Sequence, residues 1–210
     1  MYVGRIVAVG RTKAGRAAGL YRVSSRSFPN RRAIVEKAKA SILPKEGFEG
    51  TVLESAFITY DCARIVGSIA IVSNGSHTNP IAEKIESGMP IRDAIAMTLL
   101  AMDYEHDSLN TPRIAGVIEA GAKSGWLGVV RKDGIEVAEV LLEAGEVCYL
   151  ATYEINRIDP ARKDRFDIAS ARDGAEHIIR CGAFAALEKP IVSVCAIEAE
   201  GGFELSDAMA

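Results

Sequence analysis

Four stretches of this chain carry side chains that could do chemistry. Leu20 to Arg32 (LYRVSSRSFPNRR) holds four arginines, three serines, one Phe and a Pro-Asn turn, and no acid occurs before Glu36. Strand alternation puts Arg22, Ser24 and Arg26 on one face and Tyr21, Val23 and Ser25 on the other. Guanidinium forks beside hydroxyls suit a phosphate monoester, so Arg22, Ser24, Ser25, Arg26, Asn30 and Arg31 form a candidate anion site. Tyr60-Asp61 lies at an expected break between buried strands, where burial raises carboxyl and phenol pKa values and suits a base beside a proton donor. Asn74, Gly75 and His77 occupy a turn before a helix, a place for backbone donors around an anion. Asp103-Tyr104-Glu105-His106-Asp107 closes an apolar helix with acids, against the helix dipole, and Glu105 is its best candidate for proton transfer. Each stretch has a plainer reading: a solvated basic strand, a core tyrosine with a satisfied hydroxyl, a common Asn-Gly turn, a solvated helix end.

Composition bounds what those residues serve. At 210 residues and 49% apolar content the chain fits one domain, residues 1–210. The net charge of −3 hides a split: residues 1–35 carry eight cations and no acids, leaving seventeen basic against twenty-eight acidic residues elsewhere. Positive charge this local favours a small anionic ligand over nucleic acid, which asks for a broad basic face. Cys62, Cys148, Cys181 and Cys195 lie far apart in apolar surroundings, with no CxxC and few histidines, so buried free thiols are expected and zinc is not. Acids in succession at a helix end point different ways, so Asp103, Glu105, His106 and Asp107 are not expected to hold a metal. No apolar run reaches membrane-spanning length, no leader is evident, and a cytoplasmic protein is expected. GxxxxGK[ST], GxGxxG after a strand and GxSxG do not occur.

The elements that must position these residues can be read in order. Residues 2–9 and 20–28 are expected strands, joined by a basic Gly/Ala-rich connection and ended by Phe28-Pro29-Asn30. Residues 32–42 fit strand or helix. Residues 51–73 predict two long strands broken near Asp61-Cys62-Ala63, apolar enough to be buried on both faces. Asn79 is the expected cap of a helix with Pro80 at its first position, ending at Gly88. A second helix starts at Pro90, and Met97 and Leu100 predict that it is sandwiched. Strands follow over 114–155, with a hairpin turn at Lys132-Asp133-Gly134. After a polar loop, 168–187 reads as helix with Gly174 and Gly182 as weak points, 190–198 as a last strand, and Ser206 to Ala210 as a loose tail. Consecutive strands without crossovers argue for largely antiparallel sheets, and strands apolar on both faces need covering. The fold class is therefore α/β, a four-layer α/β/β/α sandwich of two sheets.

Four segments carry a resemblance: YRVSSRSFPNR (21–31), ITYDCARIVGSIAIVSNGSHT (58–78), AMDYEHDSLNTPRIAGV (101–117) and GAFAALEKPIVSV (182–194). Together, across essentially the whole chain, they resemble the archaeal IMP cyclohydrolase family. That resemblance implies a fold similar to N-terminal-nucleophile hydrolases. It also implies dehydrative ring closure of 5-formamidoimidazole-4-carboxamide ribonucleotide to IMP, the last step of de novo purine biosynthesis, with no cofactor. Met1-Tyr2 is a departure from those hydrolases, which expose Ser, Thr or Cys at a freed N-terminus; a covalent amidase mechanism is not expected. Under the resemblance, Tyr60 serves the formyl oxygen and Glu105 the carboxamide proton, helped by Asp103 or Tyr104. Arg31 assists the chemistry. Arg22, Ser24, Ser25, Arg26 and Asn30 hold the nucleotide, Asn74, Gly75 and His77 line one wall, and Thr111 and Arg113 close the other. The expected partner is a purine ribonucleotide, with no nucleic acid or membrane, bound by a homo-oligomer. An amidohydrolase of the same fold, or a non-catalytic nucleotide- or RNA-binding module, is the alternative.

Overall fold

A computed structural model describes residues 1–48 and 59–210. The chain opens with β1 (Ile6–Arg11), β2 (Ala17–Ser24), β3 (Arg31–Val35), β4 (Lys39–Pro44), β5 (Tyr60–Val66) and β6 (Ile69–Ser73). Two helices follow, α1 (Thr78–Glu86) and α2 (Ile91–Met102). Then come β7 (Arg113–Glu119), β8 (Ser124–Arg131), β9 (Gly134–Leu141), β10 (Glu146–Ala151) and the short β11 (Lys163–Arg165). The chain closes with α3 (Ala171–Arg180), a 3-10 turn (Gly182–Phe184), β12 (Pro190–Ala199) and β13 (Gly202–Met209).

One sheet runs β11-β10-β1-β2-β12-β13 and the other β3-β4-β5-β6-β7-β8-β9, antiparallel throughout. β1 and β2 lie against β6 and β7; α3 covers β2, β12 and β13, and α1 and α2 cover the far side of the second sheet. The result is the four-layer α/β/β/α order. Period-2 alternation builds it. Val7 and Val9 enter the core between the sheets, while Ile6 and Ala8 between them face α3. Ala70 and Val72 likewise face the first sheet, and Ile71 faces α1 and α2 with Ile81, Ile95 and Leu99. Strands buried on both faces need no polar stripe, which is why they read as continuous apolar runs.

Several expectations change. Residues 51–58 of the expected first long strand lie outside the described residues. β5 is not broken at Asp61-Cys62-Ala63; it runs on to Val66, and the irregularity is a bulge where Ser41 pairs with Asp61 and Ala40 with Ala63, leaving Cys62 extra. Residues 32–42 settle as the hairpin β3–β4. Asn79 does not cap α1: His77 holds that position, and the Asn79 amide bonds Asp61 and Arg64. Nor is α2 sandwiched, since Met97 and Leu100 are 52% and 72% exposed. Gly174 is a packing necessity within α3, because a Cβ there would collide with Cys195 Sγ and Ile168. Cys181 is exposed, unlike the other three thiols. The expected tail Ser206 to Ala210 belongs mostly to β13, which pairs with β12 from Val192–Met209 to Ala199–Gly202. Among the described residues no helix is long and apolar enough to cross a membrane.

Candidate active site

The basic stretch 20–32 divides three ways. The alternation on β2 holds, but its arginine face turns toward α3. Arg22 is fully buried there, donating from Nε to Ser24 Oγ at 3.0 Å and from Nη1 and Nη2 to the carbonyls of Ile178, Ile179, Phe184 and Leu187. It satisfies the carbonyl end of α3 and the turn beyond it, and burial lowers its pKa to about 10. Arg22 and Ser24 are therefore spent within the fold, and the structure does not bring them to the other nominated residues. Ser25 and Arg26 lie beyond β2: Ser25 Oγ accepts from Phe28 N, and the exposed Arg26 pairs with Glu188 and covers the Tyr2 ring at 4.3 Å. Asn30 accepts from Lys45 N through its backbone. Arg31, the first residue of β3, turns inward and is 1% exposed.

Arg31 belongs to a cluster at one end of the layer between the sheets. Its centre is Glu105, 3% exposed, with Arg113 Nη1 3.6 Å from its carboxylate. Burial pushes the Glu105 carboxyl above its ordinary range; Arg5, Arg113 and Arg31 pull it back and Asp107 adds to the rise. Arg5 precedes β1, and alternation with Val7 and Val9 aims it between the sheets. Burial opposes its charge, but Tyr60, Tyr21, Glu105 and Tyr153 outweigh that and hold its pKa above the ordinary value. Tyr60 on β5 and Tyr21 on β2 meet there, hydroxyl to hydroxyl at 2.6 Å. Arg5 Nε, Arg31 Nε and Arg31 Nη1 are buried and meet no acceptor among the described residues.

The loop between α2 and β7 holds Glu105 in place. Glu105 N donates to Thr111 O, and Asp107 accepts from the backbone N and hydroxyl of Thr111. Thr111 Oγ1 also meets the Tyr153 hydroxyl at 2.7 Å. Arg113 Nε donates to Asp103 O. Asp103 takes φ 56° as the helix ends; its carboxylate accepts from Tyr104 N and meets His106, which rests against the Tyr104 ring. Glu105 faces the arginines instead, and among the described residues no three His, Cys, Asp or Glu side chains gather as a metal-ligand group.

Asn74 clamps the β6–α1 turn to β7, donating to Pro112 O and accepting from Ile114 N. His77 Nε2 donates to Ile114 O at 2.9 Å, and burial lowers its pKa to about 3, so the ring is neutral and Nδ1 is a buried lone pair without a partner among the described residues. Gly75 permits the approach: a Cβ there would lie 3.1 Å from Arg113 Nη1 and 3.3 Å from His77 Nδ1. Asp61 follows Tyr60 on β5, where neighbours face opposite ways, and its carboxylate bonds Ser41 and Asn79. A cleft of about 400 Å3 lined by Tyr2, Arg26, Ser27, Leu109, Tyr153 and Glu154 opens beside the cluster, with Tyr153 common to both. Arg5, Tyr21 and Tyr153 are the members that sequence reading missed. For Arg5 the signal existed: it shares the alternation of Val7 and Val9 on a strand buried on both faces.

The fold and this cluster define a class: an antiparallel α/β/β/α sandwich with arginines, a buried carboxylate and paired phenols gathered between its sheets. Comparison with known proteins makes that class specific. Residues 2–202 match the family described as IMP cyclohydrolase-like protein. Relatives named IMP cyclohydrolase include those of Methanosphaera stadtmanae, 43% identical over 93% of this chain and 94% of the relative, and Methanocella arvoryzae, 44% identical over 98% and 96%. A third, from Methanococcus maripaludis strain C6, is 40% identical over 98% and 99%. The chain belongs to the IMP cyclohydrolase-like family.

Proposed function

We propose that this protein is an IMP cyclohydrolase that closes the purine ring of formylated aminoimidazole carboxamide ribonucleotide. One observation supports the siting above the others: buried guanidinium donors of Arg5 and Arg31 stand without acceptors among the described residues, around a buried carboxylate and a phenol pair. Unmet buried donors are costly in a folded chain. A ligand rich in acceptors relieves them. The formyl and carboxamide oxygens of the substrate supply such acceptors, and the relatives' shared name agrees with this substrate.

The nucleotide enters by the cleft. Tyr2 and Tyr153, with centroids 6.0 Å apart, and Leu109 supply apolar walls for imidazole and ribose, and Arg26 at the rim meets the 5′-phosphate. The two reacting groups then lie between the sheets, held in a near-attack pose by Arg5, Arg31 and Arg113. Glu105 removes a proton from the carboxamide nitrogen, which attacks the formyl carbon. Tyr60 gives a proton to the formyl oxygen, and Arg5 and Arg31 hold the charge that develops on it. The hydroxyl so formed leaves as water with the proton of the formamido nitrogen. Both protons that leave the substrate's nitrogens thus depart on the formyl oxygen. His77 Nδ1 offers an acceptor on the wall that Asn74 fixes.

The test is conversion of the formylated nucleotide, followed by ultraviolet absorbance. The wild-type protein is expected to form IMP. Glu105→Gln and Tyr60→Phe are each expected to lower kcat roughly 10²-fold or more. Folded variants with wild-type kcat would remove these residues from catalysis, and a wild-type protein that forms no IMP would end the reading.

A further inference from the structure

Tyr21 is fully buried on β2, in the first sheet, and Tyr60 is buried on β5, in the second. Their hydroxyls bridge the sheets at 2.6 Å, with the rings edge to face at 76° and centroids 6.4 Å apart. By distance either oxygen is able to donate, but the Tyr21 hydroxyl has Tyr60 as its one partner among the described residues and is 0% exposed, while Tyr60 is 6% exposed. Burial, then the Tyr60 phenol, raise the Tyr21 pKa well above its ordinary value against the opposing pull of Arg5. Tyr21 thus keeps its proton. A phenol has only one proton to point, and the Tyr60 oxygen is the acceptor within reach of the Tyr21 hydroxyl.

Resting on the cyclohydrolase reading, we propose that Tyr21 is a positioning residue: its hydroxyl donates to Tyr60 and so turns the Tyr60 proton toward the formyl oxygen of the substrate. Tyr21 itself touches no substrate atom. When the Tyr60 O–H bond breaks, the new O–H bond forms on the formyl oxygen and the electron pair stays on Tyr60. That phenolate keeps the hydrogen bond from Tyr21 and lies beside the Arg5 guanidinium. The proton that Glu105 takes from the carboxamide nitrogen restores it, so no outside acid or base is consumed. Without Tyr21 the Tyr60 hydroxyl is free to rotate, and its proton is correctly placed for only part of the time.

A double-mutant cycle tests this, because a residue that acts only through Tyr60 has no effect once Tyr60 is gone. Wild type, Tyr21→Phe, Tyr60→Phe and the double variant are assayed below the lowest melting temperature of the set. Tyr21→Phe is expected to lower kcat roughly tenfold, the worth of one well-placed hydrogen bond, with KM changed less than twofold. In the Tyr60→Phe background the same substitution is expected to leave kcat unchanged. Wild-type kcat in Tyr21→Phe, or a further loss of similar size in the double variant, would overturn the proposal and leave the cyclohydrolase reading standing. Tyr21→Met, which also lacks the hydroxyl, repeats the cycle where Phe packs poorly. A wild-type protein that forms no IMP would overturn the reading and the inference together.

Discussion

Arg31 places two guanidinium donors, Nε and Nη1, in the interior without an acceptor among the described residues. Each such donor costs about 1–3 kcal/mol when nothing replaces the lost water. A fold tolerates that where a ligand brings the acceptors. Glu105 shows the same tension, since burial raises its pKa against the pull of three arginines. A proton acceptor must be ionised, so kcat/KM is expected to rise with pH along a limb above the ordinary carboxylate range. That limb should vanish in Glu105→Gln. Stability moves the other way. The unfolded carboxyl ionises before the folded one, so the folded state holds more protons between the two values and stability falls as pH rises through that window. Melting curves should therefore show Glu105→Gln gaining on wild type as pH rises from about 4 toward neutrality. Arg26, exposed at the cleft rim, is expected to matter for binding alone: Arg26→Ala should raise KM for the nucleotide more than it lowers kcat. An unchanged KM would remove it from phosphate recognition.

At the scale of elements, the period of β2 is legible in its sequence and the use of its two faces is not. Arg22 and Ser24 do share a face, yet that face lies under α3, where Arg22 donates to four carbonyls. The apolar-looking face carries Tyr21 to the site. Nothing local distinguishes an arginine that binds a ligand from one that satisfies a helix end 156 residues away. Arg22→Ala would strand those carbonyls, and a stability loss of roughly 3 kcal/mol or more is expected in denaturant melts. Its KM for the nucleotide should stay near wild type below the melting temperature; a large KM increase in stable protein would restore Arg22 to the site. Tyr60 and Asp61 teach the same lesson: adjacency in sequence on a strand means separation in space. The Asp103–Asp107 stretch was more readable, because acids opposing a helix dipole ask for a reason. Of its five side chains only Glu105 points at the arginines, while Asp107 organises the loop.

At the scale of the molecule, the layer order was legible because continuous apolar strands need covers on both sides. The terminal strand β13 was not, since its half-polar edge resembles a tail. The N-terminal excess of charge is real in sequence and dispersed in space. Arg11 and Arg16 donate to Leu142 O and Ala169 O, Lys13 pairs with Asp167, Arg32 with Glu46, and Arg22 serves α3. Only Arg5 and Arg31 reach the layer between the sheets, where Arg113 joins them from the far side of the chain. The site is thus made by stacking two sheets, and no single stretch contains it. The most direct measurement is kcat/KM for ring closure of the formylated nucleotide by Arg31→Gln, alongside its melting temperature. A loss of roughly 10²-fold or more with a melting temperature at or above wild type is expected, because the substitution removes donors that the empty fold leaves unmet. Wild-type kcat/KM in the folded variant would contradict the placement of the reaction between the sheets.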